Sequence, residues 1–104
     1  KTPWRDMLKD VRDTSLDLLA LRDKAITLIP EDLKKYALPE GNVTELNFPV
    51  DEYPEKIKSL NFDKTPEISG TLVGIRGQYL IFEEGEVLNI RKFSGYHIDF
   101  AALE

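Results

Sequence analysis

Short apolar blocks alternate with polar ones over residues 68–100, ISGTLVGIRGQYLIFEEGEVLNIRKFSGYHIDF, and Arg76-Gly77, Glu84-Gly85 and Ser94-Gly95 separate them. Glycine reaches positive φ without a Cβ clash, so an X-Gly pair between two β-branched or aromatic runs marks a hairpin turn. Three such turns predict four consecutive antiparallel strands. Leu80 and Phe82 oppose Tyr79 and Ile81, so that strand is apolar on both faces and calls for cover on both. Leu88 and Ile90 oppose Val87, Asn89 and Arg91, while Tyr96, Ile98 and Phe100 share the face opposite His97 and Asp99. Residues 45–50 alternate as well and predict an edge strand, because Pro49 has no N–H for a ladder. Gly70 and Gly74 mark bends or bulges within strand-like sequence.

The first third has a helical period instead. Thr2-Pro3 reads as a cap and first helical position, and Trp4, Met7 and Leu8 fall on one face of a helix over about residues 3–9. Leu18, Leu21, Ala25, Leu28 and Ile29 predict a second helix, capped by Thr14 or Ser15 and ended by Pro30, with Arg22 and Lys24 on its polar side. A third, short helix over residues 31–36 has acids first and lysines last, which suits the helix dipole. Residues 53–61 carry only one turn of apolar spacing, Ile57 and Leu60.

These patterns predict an α+β fold: two or three N-terminal helices packed on a four- or five-stranded antiparallel meander, curled toward a small SH3-like barrel. The expected core is Leu18, Leu21, Ala25, Leu28, Leu72, Leu80, Phe82, Leu88, Ile90, Ile98 and Phe100. A length of 104 residues suits one domain, with a helical part over about 1–38 and a mostly β part over about 44–104. The net charge of −5 argues against a stand-alone nucleic-acid binder, which normally shows a basic stripe. Without cysteine, disulfides and thiolate metal sites are excluded from these residues, and no cofactor is expected in them. No apolar run approaches the ~20 residues of a membrane helix, and no leader is visible. A cytoplasmic protein without a membrane partner is expected. The first residue is Lys1 rather than Met, so the natural N-terminus is expected upstream.

Candidate chemistry is sparse. His97 and Asp99 share a strand face, where an imidazole–carboxylate contact is feasible, but general base work also needs a nucleophile or bound water, and strand histidines are commonly inert. Glu83, Glu84 and Glu86 surround one turn, and Asp51, Glu52 and Glu55 occupy a loop; both sets read as solvated acids. Gly74-Ile75-Arg76-Gly77 opens a strand, not a helix, so the dipole rationale for a phosphate loop is missing. The best candidate surface joins Arg76, Arg91 and Lys92 with Tyr79 and Phe93, cations for phosphates beside rings for bases, as in single-stranded nucleic-acid binders. Trp4 and Phe48 are candidates for an exposed apolar contact with another protein or a second copy.

The strings Thr65-Pro66, Gly70-Thr71-Leu72, Gly74-Ile75-Arg76-Gly77-Gln78-Tyr79-Leu80-Ile81-Phe82, Asn89-Ile90-Arg91 and Gly95-Tyr96 resemble an uncharacterised bacterial family, domain of unknown function 2797. Trp4-Arg5-Asp6-Met7-Leu8, Phe48-Pro49-Val50, Tyr53-Pro54 and Lys58-Ser59-Leu60-Asn61 extend the resemblance upstream. It implies the C-terminal part of a longer protein, whose N-terminal part is similar to a zinc knuckle followed by a GIY-YIG-like nuclease core. Neither feature occurs in this sequence, so no catalytic or metal residue is carried over. The implied role is a non-catalytic accessory domain supporting nucleic-acid processing, with the upstream domain as its partner and any zinc held there. The alternatives are a protein–protein or self-association module and a weak single-stranded nucleic-acid surface.

Overall fold

A computed structural model describes residues 2–39 and 41–103. They are arranged as α1 (Trp4–Leu8), α2 (Leu18–Thr27), a 3-10 helix (Glu31–Tyr36), β1 (Lys58–Ser59), β2 (Leu72–Arg76), β3 (Tyr79–Phe82), a 3-10 turn (Glu83–Gly85), β4 (Glu86–Asn89) and a last 3-10 turn (Ile90–Phe93). The fold is α+β. The chain divides into two compact units, one of residues 1–11 with 48–104 and one of residues 12–47. The first helix thus belongs with the sheet. No described helix is long and apolar enough to cross a membrane.

The sheet has the order β1-β4-β3-β2. Both hairpins predicted from Gly77 and Gly85 are present: β2 and β3 pair antiparallel with Arg76 opposite Tyr79, and β3 and β4 pair antiparallel with Ile81 opposite Val87. Gly77 and Gly85 have φ of 57° and 80°, the left-handed conformation that glycine adopts freely, in the two-residue β2–β3 turn and the three-residue β3–β4 turn respectively. The register shifts between Leu72 and Gly74, and Val50 bridges to Gly74 from outside the sheet. A Cβ on Gly74 would lie 2.8 Å from a Val50 methyl, so the close approach itself demands glycine.

Four expectations about the sheet are corrected. The sheet is mixed rather than a meander, because β1 pairs with β4 in parallel, Lys58 opposite Glu86. It is not closed into a barrel: β1 and β2 are its two ends. Residues 96–100 form no strand, and the edge of β4 expected for them is taken by β1. The expected strand over 45–50 contracts to the Val50 bridge, flanked by bonds from Ile75 N–H to the Pro49 carbonyl and from Asp51 N–H to the Val73 carbonyl. Pro49 cannot donate, which stops the ladder from lengthening.

The core lies on the opposite face of β3 from the one expected. Leu8, Tyr79, Ile81 and Val87 form the buried cluster, with Trp4, Met7, Val50, Ile57 and Val73 packed against it. The Trp4 ring stacks on Tyr79, centroids 5.6 Å apart and planes 3° from parallel. On the other face Leu88 is buried, as expected, and pairs with half-buried Leu80. Leu72, Ile90, Ile98 and Phe100 are exposed rather than core, and Phe82 is only half-buried.

In the unit of residues 12–47, α2 is capped by Asp17, whose carboxylate accepts from Leu19 N–H at 3.0 Å and Ala20 N–H at 3.2 Å. The cap is therefore Asp17, not Thr14 or Ser15; Ser15 instead donates its N–H to Asp13 in a preceding turn. No residue of α2 is buried, which corrects Leu18, Leu21 and Ala25, and Leu28 beyond it is 79% exposed. The i, i+4, i+8 row Leu18, Arg22, Ile26 puts a guanidinium within the apolar stripe. A unit shorter than about 40 residues also has little to bury a helix against.

Ile81→Ala should destabilise the protein by about 2–5 kcal/mol, from lost burial plus a cavity. Phe100→Ala, at an 85% exposed side chain, should move stability by no more than about 0.5 kcal/mol. Urea midpoints of the two variants check both; an equal shift would contradict the burial of Ile81 and the exposure of Phe100.

Candidate functional site

Arg76 ends β2 on the face that carries the core, and its side chain is 14% exposed. Its Nη1 donates to the Met7 carbonyl at 2.7 Å and to Asp10 Oδ1 at 3.1 Å. The guanidinium carbon sits 4.5 Å from the Phe48 ring centroid and 5.5 Å from that of Tyr53. Asp10 has φ of 60°, which ends α1 and turns the chain where its carboxylate meets Arg76. Planar guanidinium suits this site: it bonds in its plane and stacks on rings above and below. The cation is thereby committed to joining α1, residues 48–53 and β2.

The proposed rings are placed in the core. Tyr79 is 9% exposed under Trp4, and Phe93 is 4% exposed. Phe93 meets Phe62 and Tyr96 edge to face, with centroids 5.0 Å and 5.3 Å apart. Neither offers a free face for a base. Arg91 and Lys92 are exposed on the Ile90–Phe93 turn, where strand alternation no longer applies, and Lys92 Nζ lies 5.8 Å from the Phe93 ring centroid. Arg76 and Tyr79 are brought together across the β2–β3 ladder; Arg91, Lys92 and Phe93 ride the turn that follows β4. Trp4 is half-buried with the Arg5 guanidinium 4.2 Å from its ring, and Phe48 is exposed beneath Arg76.

The acidic groups of the two sequence clusters are distributed over the sheet unit's surface. Glu86 meets Lys58 at 3.8 Å across the parallel pair. Glu52, Glu55, Glu83 and Glu84 line a cleft of about 370 Å³ together with Tyr53, Val73 and Phe82. His97 Nε2 lies 3.7 Å from Asp99 Oδ1, with both side chains almost wholly in solvent. Among the described residues no three His, Cys, Asp or Glu side chains gather as for a metal ion. A contact that sequence reasoning missed is the hydrogen bond from the Tyr96 hydroxyl to Asp63, which holds the phenol proton and raises its pKa above the ordinary value, with desolvation and then the Asp63 charge adding to the shift. A separation of 33 residues left no sequence signal for it.

The residues that carry the motif strings, Trp4, Met7 and Leu8 with Arg76, Tyr79 and Ile81, are thus the ones that fasten α1 to the sheet. A comparison with protein families matches residues 1–98 to the family described as Protein of unknown function (DUF2797). The chain belongs to this family. No curated protein and no solved structure matched the chain. For this DUF2797 chain the match covers both compact units, so the Arg76 contact and α2 lie within the family's shared sequence.

Two outcomes follow from this geometry. Arg76→Ala should cost about 1.5–3 kcal/mol, the usual worth of hydrogen bonds to a charged group, read as a lower thermal midpoint. Asp63→Asn should bring the Tyr96 phenol back toward the ordinary tyrosine range in a near-ultraviolet pH titration. The sign is fixed by the raised value: the folded chain holds this proton more tightly, so the contribution is present below the unfolded pKa of about 10 and lost as pH rises through the folded one.

Proposed function

We propose that this chain is a non-catalytic accessory domain of a larger bacterial protein that processes nucleic acid, and that residues 12–47 engage another, upstream part of that protein. The observation that carries the reading is the exposure of apolar side chains in this unit. Leu18 and Leu21 on α2, then Leu28, Tyr36, Leu38 and Leu46, all remain in water. An isolated helix of this length is marginal in water, and helices of folded proteins draw most of their stability from burying an apolar face. A covering partner would supply that burial. The larger architecture, a zinc knuckle and a GIY-YIG-like core upstream, rests on the family resemblance, and any metal chemistry belongs there.

Support for a scaffolding role comes from how the motif residues are used. Arg76, Tyr79 and Trp4 hold the sheet and α1 together, a structural use that supports this reading. A lesser reading, weak binding of single strands, draws on Arg91 and Lys92, both exposed beside half-exposed Tyr96. With a net charge of −5 and so few cations in play, such binding would be feeble and steeply salt-dependent.

The decisive measurement is amide hydrogen exchange of the chain alone and within the longer protein. Exchange over Leu18–Thr27 should slow markedly in the longer protein; equal rates would sink the contact. Nuclease assays with divalent cations should show no turnover by the chain. Metal-dependent cleavage that disappears in His97→Ala would overturn the non-catalytic reading.

A further inference from the structure

Residues 96–103 follow the Ile90–Phe93 turn within the sheet unit and form neither helix nor strand. Gly95, with φ of 86° and open space around its Cβ position, turns the chain out of the Ile90–Phe93 turn. Tyr96 is anchored at the root of the segment by its contacts with Phe93 and Asp63. Beyond it, no backbone hydrogen bond engages 97–103 among the described residues. Yet the sequence retains strand alternation: Tyr96, Ile98 and Phe100 on one face, His97 and Asp99 on the other. Ile98 and Phe100 are exposed, and the side chains of His97 and Asp99 are 93% and 99% exposed.

The order of these five residues is chemically symmetric about its centre: ring, imidazole, Ile98, carboxylate, ring. In an antiparallel pair, residue 98 − n of one strand faces residue 98 + n of the other when two copies cross at Ile98. Ile98 then meets Ile98 of the second copy, and Tyr96 meets Phe100. On the opposite face His97 of each copy meets Asp99 of the other, twice by symmetry. Even the neutral imidazole carries an N–H that a carboxylate accepts. Aromatic and oppositely charged pairs are the ones that stabilise strand pairs, and a two-fold contact repeats each of them. No one-residue slip retains this match, because a slip sends every side chain to the other face.

We propose that Tyr96–Phe100 is a self-pairing strand, which joins two copies of this chain antiparallel about Ile98. The occupant is a second copy because the charge pattern complements itself. Two isolated strands alone are marginal, so the rooting of each Tyr96 on Phe93 matters: it extends the apolar face onto the packed Phe62 and Phe93 rings. The association is accordingly weak and concentration-dependent. This surface lies outside residues 12–47, so it stands or falls independently of the proposed function.

Sedimentation equilibrium over a wide concentration range tests it on the whole chain. The apparent mass should climb toward twice 11.9 kDa. His97→Asp, which sets two carboxylates opposite each other at both ends, should weaken association about tenfold or more. Combining His97→Asp with Asp99→His should restore it, because the reciprocal order pairs again. These side chains touch nothing else that folding depends on, and circular dichroism should be unchanged in both variants. A parent that stays at 11.9 kDa throughout overturns the proposal. Association that persists undiminished in His97→Asp, or that the reciprocal variant fails to restore, overturns it equally.

Discussion

The Arg76 guanidinium is the constraint on which the sheet unit depends. A helix of five residues has too few internal bonds to persist in water. Here its last turn is held by a charge that accepts nothing and donates in a fixed plane: one amino group serves both the Met7 carbonyl and the Asp10 carboxylate. The rings of Phe48 and Tyr53 lie against the same guanidinium. Three stretches distant in sequence, residues 4–10, 48–53 and 72–76, are thereby fixed to one another. With α1 in place, Leu8 closes over Ile81 and Val87, and Trp4 covers Tyr79. The polar contact positions; the apolar contacts beneath it supply most of the stabilisation.

Two glycines allow the backbone approaches that complete this arrangement. At Gly74 the absent Cβ admits Val50 to the outer edge of β2, which would otherwise expose an unpaired ladder. At Gly85 a Cβ would fall 1.9 Å from the Lys56 carbonyl oxygen, so the chain entering β1 passes against the β3–β4 turn only because that residue is glycine. The turn also places Glu84 at φ of 62°, and the acids around it face solvent as solubilising charges.

Much of this was legible in the sequence, and the failures have physical causes. Turn chemistry is local, so the glycines at 77 and 85 located both hairpins. Alternation on β3 showed two apolar faces but not which one a helix would cover; that depends on α1, which lies about seventy residues earlier. The 96–100 segment has every local property of a strand and lacks only an edge, because β1, a two-residue piece without a strand signature, occupies it. For the site, Arg76 was visible as a cation but its partner Asp10 was not: a separation of 66 residues leaves no spacing to read. Tyr79 and Phe93 were read as platforms because composition cannot tell a buried ring from an exposed one.

The balance between core and exposed apolar surface bears on how such a chain works. The largest fully buried side chains are Leu8, Ile81 and Val87, a small set for a chain of this length. Large apolar residues meanwhile remain in water along residues 12–47 and again from Ile98 to Leu103. Folding free energy is a small difference between large terms, so each unburied side chain is stabilisation the isolated chain forgoes. A partner that binds only the folded form returns part of it through mass action. The two exposed regions differ in what they can accept. Along α2 the apolar row is interrupted by Arg22, which pairs with Asp23, so the exposed face is mixed rather than uniformly apolar. At the C-terminal segment the pattern complements itself.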